Sequence, residues 1–417
     1  MRRTPGRKIL FLGAAPFQLP PIYYALQCGY QVITCDNRPD NPGHRLAHCS
    51  YGVSTVDTAA VLGIAEREQV DGVLAYASDV SAPTAARVAW ELRLPGNPPA
   101  AVELLTRKDS FRAFLARAGL QSLLYRSFCA GERDAVRSYV EQAARVMIIK
   151  PADASGSKGV SLLDPDCFDS RQVDQAFDES RSRTVVVEEF VPKSGHQVCG
   201  DGFVEDGELT FVDFGDGHFY DDGRFFAPFA ETFPSLHPLA VLAEARQALD
   251  RILSATGYRQ GPINLDVLIT DSGKPFVIEI GPRAGGNFIP TAISLRTGTD
   301  LVAAAVESCL DPGYRLPPRQ EQSEEYVACY MIHSRTGGIF EGLRLSQKLR
   351  GHLAATNLYL NPGDKVGAFT KASEAIGNLI LRFDSSQQMH QMIRDMPAHC
   401  LVDWASAATG RQAGALP

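Results

Sequence analysis

Two apolar stretches near residue 270 constrain the fold of this chain more than any other feature of its sequence. Residues 263–269 read INLDVLI and residues 277–283 read VIEIGPR, and the intervening 270–273 (TDSG) is typical of a turn, so a β-hairpin is predicted. Strand alternation lets Asp266 and Glu279 converge. Such a pair suits Mg²⁺, which usually takes one or two carboxylates together with phosphate oxygens. This stretch alone leaves a solvated acidic hairpin as an open alternative.

Length, charge and cysteine content bound the class of protein. A chain of 417 residues is too long for one core and should form two or three domains. The net charge of −7 gives no bulk attraction to nucleic acid or anionic membranes, and no apolar stretch is long enough to span a membrane, so we expect neither partner. The nine cysteines are odd in number and form no CxxC pair, which favours reduced thiols and a cytoplasmic location.

Residues 1–100 alternate strand and helix patterns and predict a small parallel sheet of βαβ units. Strands are expected at 8–13, 31–36 and 72–77. Asp36 ends the second strand, where a ribose-binding acid would lie in a dinucleotide site. The first turn, however, reads Gly-Ala-Ala-Pro-Phe-Gln and lacks G-x-G-x-x-G, which argues against a nicotinamide or flavin site. The segment 94–99 (LPGNPP) is a plausible domain boundary.

Two lysines and a loop of small residues follow this boundary. Lys108 is predicted near a helix start, where the helix dipole does not favour a cation, with Thr106 as the cap. Lys150 ends an apolar strand, and the loop after it contains Ser155, Gly156, Ser157, Lys158 and Gly159. Such a loop between two strands can fold over an anion. It is not a Walker A loop, because the motif is absent and a strand follows. A flexible hairpin with solvated lysines remains the alternative.

The next strand pattern, at 184–192, carries polar groups suited to a purine. It contains Glu188, Glu189, Phe190 and Val191, which could offer a carboxylate, backbone groups and an apolar face to the base. His196 follows in a turn, where a structural role is more common than a catalytic one.

Taken together, these motifs resemble the ATP-grasp superfamily. Lys108, the strand lysine Lys150 with its glycine loop, the Glu188–Val191 segment, and the Asp266, Glu279 and Arg283 group occur in the order found there. The chain is similar to the carboxylate-amine ligases, including the L-amino-acid (dipeptide) ligases, and more distantly to biotin carboxylase and the purine-biosynthesis carboxylases. The resemblance implies an α/β (α+β) fold with a Rossmann-like βαβ domain at 1–100, a two-lobed nucleotide clamp at 101–320 with its smaller lid lobe at 125–190, and a small β-rich domain at 321–405. Residues 406–417 are expected to be a disordered tail.

The resemblance implies roles for individual residues. Lys108 and Lys150 would contact the ATP phosphates, Lys150 also near the adenine, and the loop of Ser155, Gly156, Ser157, Lys158 and Gly159 would close over the β and γ phosphates. Glu188 would accept from the adenine amino group, beside Glu189, and the backbone of Phe190 or Val191 would read the ring edge. Gln197 stands where many relatives carry a ribose-binding glutamate. Asp266 and Glu279 would hold Mg²⁺, with Mn²⁺ as the alternative ion, and Arg283 would stabilise charge on the transferred phosphoryl group.

One departure from the relatives concerns the second predicted strand. They often read Glu-Ile-Asn-Pro-Arg, whereas this chain has Gly281 in place of the asparagine, so one oxygen ligand is missing. Asn287 is a candidate to orient substrate, His218 a candidate base for an amine, and Arg296 a candidate ligand for a substrate carboxylate. Ordinary structural roles are at least as common for these residue types. The segment 213–229 is expected to help exclude water from the site.

The reaction implied by the resemblance joins a carboxylate to an amine. ATP would phosphorylate the carboxylate, and the amine would attack the resulting acyl phosphate, releasing phosphate and leaving ADP. Amino acids or small peptides are the expected substrates, and a homodimer is compatible with the resemblance. The alternatives are an ATP-dependent carboxylase, a ligase acting on a nucleotide, sugar or other small metabolite, and a noncatalytic ATP-binding module.

Overall fold

The computed structural model describes residues 6–220, 226–318 and 325–405. The predicted tail at 406–417 lies outside these residues. Among the helices described, none has the length and apolar character needed to cross a membrane. All nine cysteines lie in the described ranges and are free thiols. The domain boundaries at 100, 320 and 405 stay predictions.

The first part of the chain forms the parallel sheet that the alternating pattern predicts. Its strands are β1 (Lys8–Leu12), β2 (Gln31–Cys35), β3 (Cys49–Tyr51) and β4 (Gly72–Leu74), in the order β3-β2-β1-β4. Its helices are α1 (Leu19–Gln27), α2 (Pro42–Leu46), α3 (Thr58–Glu68), α4 (Ala82–Glu91) and α5 (Pro99–Thr106). The apolar strand residues are buried on both faces, as parallel sheets require.

A small antiparallel sheet follows helix α6 (Lys108–Arg117). Its strands are β5 (Tyr125–Cys129), β6 (Met147–Pro151), β7 (Ser161–Leu163) and β8 (Thr184–Glu189), in the order β5-β8-β6-β7. Two helices, α7 (Ala135–Ala143) and α8 (Ser170–Glu179), cover one face, where Phe128 and Phe177 centre a separate core. Lys150 lies near the end of β6, and the glycine loop connects β6 to β7.

The middle of the chain supplies five strands of a third, larger sheet. They are β9 (Gln197–Glu205), β10 (Glu208–His218), β11 (Ala230–Phe233), β12 (Gly261–Ile269) and β13 (Pro275–Gly281). The predicted hairpin is confirmed, because β12 and β13 pair antiparallel with Asp266 opposite Glu279. In the segment 213–229, which was predicted to exclude water, residues 213–218 belong to β10, residues 219–220 and 226–229 form no strand, and 221–225 lie outside the described residues.

Three helices complete this part: α9 (Leu239–Thr256), α10 (Ile289–Thr297) and α11 (Leu301–Ser308). The apolar spacing of residues 290–310 is helical throughout and predicts one helix, but two shorter helices form there. Gly298 adopts the left-handed conformation at φ 73° and ends α10. The side chain of Asp300 then accepts a hydrogen bond from the Ala303 N–H and caps α11 as a new helix.

The last part of the chain extends the large sheet instead of standing apart from it. The remaining elements are β14 (Tyr326–Ile332), β15 (Gly338–Leu345), α12 (Gln347–Arg350), β16 (Leu353–Leu358), β17 (Lys365–Val366), β18 (Gly377–Phe383), α13 (Ser386–His399) and β19 (Cys400–Trp404). Strand β14 pairs with β11, so the eight-stranded order is β13-β12-β9-β10-β11-β14-β18-β16. Strands β17, β15 and β19 form a separate three-stranded sheet.

Candidate active site

A cleft with a volume of about 380 Å³ lies between the small sheet and the β12–β13 hairpin. Most residues predicted to bind nucleotide or metal line it. They are Lys108, Lys150, Ser155, Gly156, Ser157, Lys158, Glu188, Glu189, Phe190, Val191, Gln197, Asp266 and Glu279. Apolar side chains of Ile148, Leu268, Phe276 and Ile278 also face the cleft, so it offers an apolar wall beside a charged floor. The fold therefore brings predicted residues from four separate segments of the chain into one cleft.

The floor of the cleft holds the acid pair Asp266 and Glu279. A β-bulge follows Asp266 in the pairing of the two strands, a feature often found beside active sites. Burial and the neighbouring Glu279 raise the pKa of Asp266 to about 7. Its Oδ1 atom accepts a hydrogen bond from Gln197 Nε2 at 2.6 Å, so Gln197 orients the acid here. The ribose contact predicted for Gln197 stays a prediction.

Lys108 supplies the positive charge that faces this pair. Its Nζ atom lies 3.2 Å from Glu279 Oε2 and donates to the Ala154 carbonyl at 2.9 Å. The positive charge of Lys108 is the main cause of the lowered pKa of Glu279. Thr106 was wrongly predicted as the helix cap: its hydroxyl donates to the Val102 carbonyl within α5, and Arg107 is the N-cap of α6 without a side-chain bond.

A buried ion triad stands on the other side of the cleft. The Glu188 carboxylate accepts from Lys150 Nζ at 2.5 Å, from Arg112 Nε at 2.7 Å and from Arg112 Nη2 at 3.2 Å. Burial alone would raise the pKa of Glu188, but the two cations outweigh it and hold the pKa well below the usual range. Burial lowers the pKa of Lys150. Because both oxygens of Glu188 already accept hydrogen bonds, its bond to an adenine amino group stays a prediction.

The glycine loop closes the cleft from above. Gly156 and Ser157 both adopt positive φ, at 67° and 61°. Ser157 donates its hydroxyl to the Phe226 carbonyl at 2.8 Å, which ties the loop to the segment before β11. A Cβ on Gly159 would lie 2.9 Å from Pro151 Cγ, so close packing against β6 requires glycine there. The loop is thus anchored at its end and can present backbone N–H groups to an anion.

Of the two backbone N–H groups predicted to bind the adenine ring, those of Phe190 and Val191, only the Phe190 group donates a backbone hydrogen bond within the protein. Phe190 donates its N–H to the Val146 carbonyl at 3.2 Å, so Val191 is the better of the two predicted donors. Glu189 pairs with Arg145 at 3.1 Å, away from the triad. The Phe190 side chain is 40% exposed and borders the cleft.

Arg283 is held beside the acid pair, though it does not line the cleft. Its Nη2 atom lies 2.6 Å from Asp79 Oδ2 in the loop after β4, and its Nε atom is buried without a partner. Gly281 makes this possible, because a Cβ there would lie 2.7 Å from Asp79 Oδ1. The glycine that departs from the relatives' pattern therefore has a physical reason in a contact with the N-terminal sheet.

Comparisons with known sequences show distant relatives of this chain. No protein-family model matches it. Uncharacterized protein y4rH of Sinorhizobium fredii is 27% identical over 369 residues, covering 85% of this chain and 73% of that protein. Formate-dependent phosphoribosylglycinamide formyltransferase of Wolinella succinogenes is 26% identical over 294 residues, covering 69% of this chain and 72% of that enzyme.

Solved structures match nearly the whole chain. The L-amino acid ligase from Bacillus licheniformis gives a TM-score of 0.78 at 17% identity, covering 97% of this chain and 100% of that one. The biotin carboxylase domain dimer of Hydrogenobacter thermophilus 2-oxoglutarate carboxylase, solved with MgADP and bicarbonate, gives a TM-score of 0.73 at 14% identity, covering 96% and 91%. The chain has the ATP-grasp fold. The superfamily resemblance and the α/β fold class predicted from the sequence are confirmed.

Within the ATP-grasp fold, three predicted substrate residues do not line the cleft. His218 lies on the face of the large sheet opposite its neighbour Gly217 and packs on His196, with ring centroids 4.5 Å apart. Burial lowers the pKa of His218 to about 3, and its Nε2 atom is 2.9 Å from the Thr232 hydroxyl. These contacts argue against His218 as the base for an amine.

Arg296 and Asn287 are also engaged elsewhere in the ATP-grasp fold. Arg296 is buried on α10, and its Nε atom donates to Asp213 Oδ2 at 3.0 Å. Asn287 has a left-handed backbone at φ 52° and donates its amide to Glu231 Oε1 at 3.1 Å. Their contacts with substrate stay predictions.

Sequence reasoning missed several charged residues that shape the site. Arg112 could have been found as a cation at a core position of α6, between the buried Phe111 and Leu115. Asp201 and Glu231 sit in short apolar strand patterns, and an acid inside such a pattern is the signal that could have found them. Asp36 accepts from the Ala14 N–H, the Arg38 N–H and the Asn41 amide, so both of its carboxylate oxygens are engaged within the protein.

Proposed function

We propose that this ATP-grasp protein is an ATP-dependent carboxylate-amine ligase. It phosphorylates a carboxylic acid and joins it to an amine, giving an amide, ADP and phosphate, with amino acids or small peptides as substrates. The observation that carries this proposal is the single cleft in which the acid pair Asp266 and Glu279 faces Lys108, Lys150 and the glycine loop. That set provides both a metal site and a cationic cradle for a triphosphate.

The donor set fits Mg²⁺, with Mn²⁺ as the alternative ion. Among residues 6–220, 226–318 and 325–405, no three or more His, Cys, Asp or Glu side chains cluster as metal ligands, so the protein offers two carboxylates here. Mg²⁺ usually binds through one or two carboxylates and takes its other ligands from phosphate and water. A cation shared by Asp266 and Glu279 would offset both the burial and the repulsion by Glu279 that raise the pKa of Asp266. When bound, the ion supplies positive charge to the β and γ phosphates.

The residues of the cleft then perform three tasks. Lys108 and Lys150 stabilise the charge that spreads over the transferred phosphoryl group as the substrate carboxylate oxygen attacks it. The loop of residues 155–159 covers the phosphates and keeps out water, which would hydrolyse the acyl phosphate. Arg283, fixed by Asp79, adds charge near the acid pair. In the second step the amine nitrogen bonds to the acyl carbon, and phosphate leaves with the electron pair of the broken C–O bond.

A second candidate follows from the relatives. The Wolinella succinogenes relative, whose sequence aligns with 69% of this chain, is a formate-dependent phosphoribosylglycinamide formyltransferase. Formate is a carboxylate and phosphoribosylglycinamide carries an amine, so this reaction joins the same two functional groups. We keep it as the alternative substrate pair, together with a bicarbonate-dependent carboxylase as in the Hydrogenobacter thermophilus enzyme.

Phosphate release distinguishes these candidates. Purified protein is given MgATP with a matrix of amino acids as carboxylate and amine, with formate plus phosphoribosylglycinamide, and with each amine plus bicarbonate. Amide ligation predicts phosphate release for carboxylate and amine together, independent of bicarbonate, with the amide detected by mass spectrometry. Turnover that requires bicarbonate would replace the ligase by a carboxylase. No turnover above background for any amino-acid pair would exclude the amino-acid proposal.

The metal-site role of Glu279 has its own test. Glu279→Gln removes one charge of the acid pair and should abolish turnover with an unchanged far-UV circular dichroism spectrum. Asp271→Asn, in the exposed turn of the same hairpin, is the matched control and should keep wild-type activity. Activity retained in Glu279→Gln would remove this residue from the metal site.

Two further proposals concern the state of the protein. The dimeric biotin carboxylase domain supports a homodimer, which light scattering coupled to size-exclusion chromatography checks. The free thiols support a cytoplasmic location.

A further inference from the structure

One buried acid of the large sheet has no role in the chemistry described above. Glu231 is 4% exposed and lies in β11, opposite Gly217 of β10. Its Oε1 atom accepts from the Asn287 amide at 3.1 Å, but its Oε2 atom is buried and has no hydrogen-bond partner. A buried carboxyl oxygen without a hydrogen-bond partner costs free energy whether or not it carries a proton, so a polar group is expected to complete it.

The surroundings of Glu231 are built to hold its position. Asn287 presents its amide from a left-handed backbone, which is uncommon for a residue other than glycine. Its carbonyl in turn accepts from the Asn378 amide at 3.1 Å, in strand β18. The carboxylate is thus fixed between the loop that follows Arg283 and the last part of the chain, and its unpartnered oxygen stays in place.

A short row of residues leads from the cleft to this oxygen. Gln197, Gly217 and Glu231 are direct neighbours across β9, β10 and β11 and share one face with Asp266. Strand spacing puts the Glu231 backbone ~10 Å from that of Gln197, which suits a substrate of amino-acid size. Gly217 has no side chain in this row, and the ring of Phe219, which lines the cleft, fills the space over it, 2.9 Å from where a Cβ would stand. Glu231 does not itself line the cleft, so the Phe219 ring must turn aside for a substrate to reach it.

We propose that Glu231 receives the amino group of the second substrate, binding it as an ammonium ion and accepting one of its protons before the nitrogen attacks. The inference rests on the proposed ligase function, which assigns no residue to the amine, and it assigns Glu231 to that role. The nitrogen of an ammonium ion has no free electron pair. Transfer of one proton to the Glu231 carboxylate leaves a neutral amine and a carboxylic acid. The neutral nitrogen then forms the C–N bond while the acyl C–O bond breaks, and the departing phosphate keeps the electron pair of that bond and takes the second proton from the nitrogen.

The electrostatics of Glu231 suit this exchange. Burial, and to a smaller degree the charges of Asp266 and Asp201, raise the pKa of Glu231 to about 8. An α-amino group titrates near pH ~8, so transfer between the two is close to balanced, whereas an ordinary glutamate near pKa ~4.3 would be a poor acceptor. His218, on the opposite face of the sheet, is not available for the same step.

Glu231→Gln tests the inference, because glutamine keeps the shape of the side chain but has no negative charge to attract an ammonium ion and cannot take its proton. The variant is assayed with the carboxylate and amine found by the phosphate-release matrix, and in parallel with hydroxylamine. Hydroxylamine is uncharged at neutral pH and traps an acyl phosphate as a hydroxamate without needing a base. Glu208→Gln, an exposed glutamate at the start of β10, is the control.

The expected result is a split between the two nucleophiles. Glu231→Gln lowers kcat/KM for the amine by about 100-fold or more while hydroxamate formation stays within about twofold of wild type. Glu231→Asp, which keeps a carboxylate, restores part of the amine activity and serves if the glutamine variant fails to fold. Equal loss with both nucleophiles, or no loss with either, would overturn the role of Glu231. A wild-type protein that forms neither product with any pair overturns the ligase function itself, which is a distinguishable outcome.

Discussion

Replacing Glu188 by glutamine should destabilise the protein far more than the same change at the next residue. The Glu188 carboxylate lies between two buried cations, with Lys150 Nζ at 2.5 Å and Arg112 Nε at 2.7 Å. The side chains of the triad are 4%, 11% and 3% exposed, so water screens them little. Glutamine would keep the volume but leave two buried cations without a counter-charge.

The magnitude follows from this burial. Removing one partner of a buried ion pair costs about 3–5 kcal/mol. Lys150, whose pKa burial already lowers, can lose its proton in the variant, which places the expected loss near the lower end, about 3 kcal/mol. Glu189 pairs with Arg145, whose side chain is 59% exposed, and such surface pairs contribute about 0–1 kcal/mol.

Urea unfolding at neutral pH, followed by far-UV circular dichroism, measures both variants against wild type. The pKa of Glu188 lies below its unfolded value of about 4.3, so its stabilisation is complete above that pH and is lost as pH falls through the lower folded pKa. The difference in unfolding free energy between wild type and Glu188→Gln should therefore not narrow between pH 7 and about pH 5, since Lys150 of the variant loses its proton less easily as pH falls, and should narrow only in stronger acid. Equal destabilisation by Glu188→Gln and Glu189→Gln would refute the buried-triad account.

Two further changes probe the acid side of the cleft. Gly281→Ala should lower turnover in steady-state kinetics, because its Cβ would lie 2.7 Å from Asp79 Oδ1 and displace that carboxylate from Arg283. The matched control is Gly286→Ala, whose Cβ would meet nothing within 4 Å. Equal activity of the two variants would contradict the importance of the contact between Gly281 and Asp79. Lys108→Met should weaken ATP binding by about tenfold or more, since it removes a charged donor, as isothermal titration calorimetry checks. An unchanged ATP affinity would place Lys108 outside the phosphate site.

The parts of the site that the sequence predicted are those coded by short continuous segments. The hairpin could be predicted because turn composition and strand alternation act over neighbouring residues, so Asp266 and Glu279 had to meet. Lys150 and the glycine loop follow each other in the same way. Their common cleft came from the ordered resemblance to a superfamily, since no local pattern tells how separate segments pack.

The parts that could not be predicted depend on contacts between distant segments. Arg112 meets Glu188 across 76 residues, and both are ordinary charged residues in sequence. His218 was a plausible base by composition, yet strand parity turns it to the opposite face from Gly217. A shift of one residue along a strand moves a side chain to the other face of the sheet, and the sequence did not show where β10 begins and ends.

Gly281 shows how a local departure can have a distant cause. Read along the strand, the glycine looks like the loss of an oxygen ligand beside Glu279. In the folded chain, the space that a side chain at 281 would need is taken by the carboxylate of Asp79, whose sequence separation from Arg283 is 204 residues. Asp79 comes from the N-terminal sheet and fixes Arg283, so that sheet contributes a charged group next to the acid pair. Since glycine is what allows this contact, the residue at 281 and the acid at 79 form one structural unit, and a change at either position should be judged by its effect on Arg283.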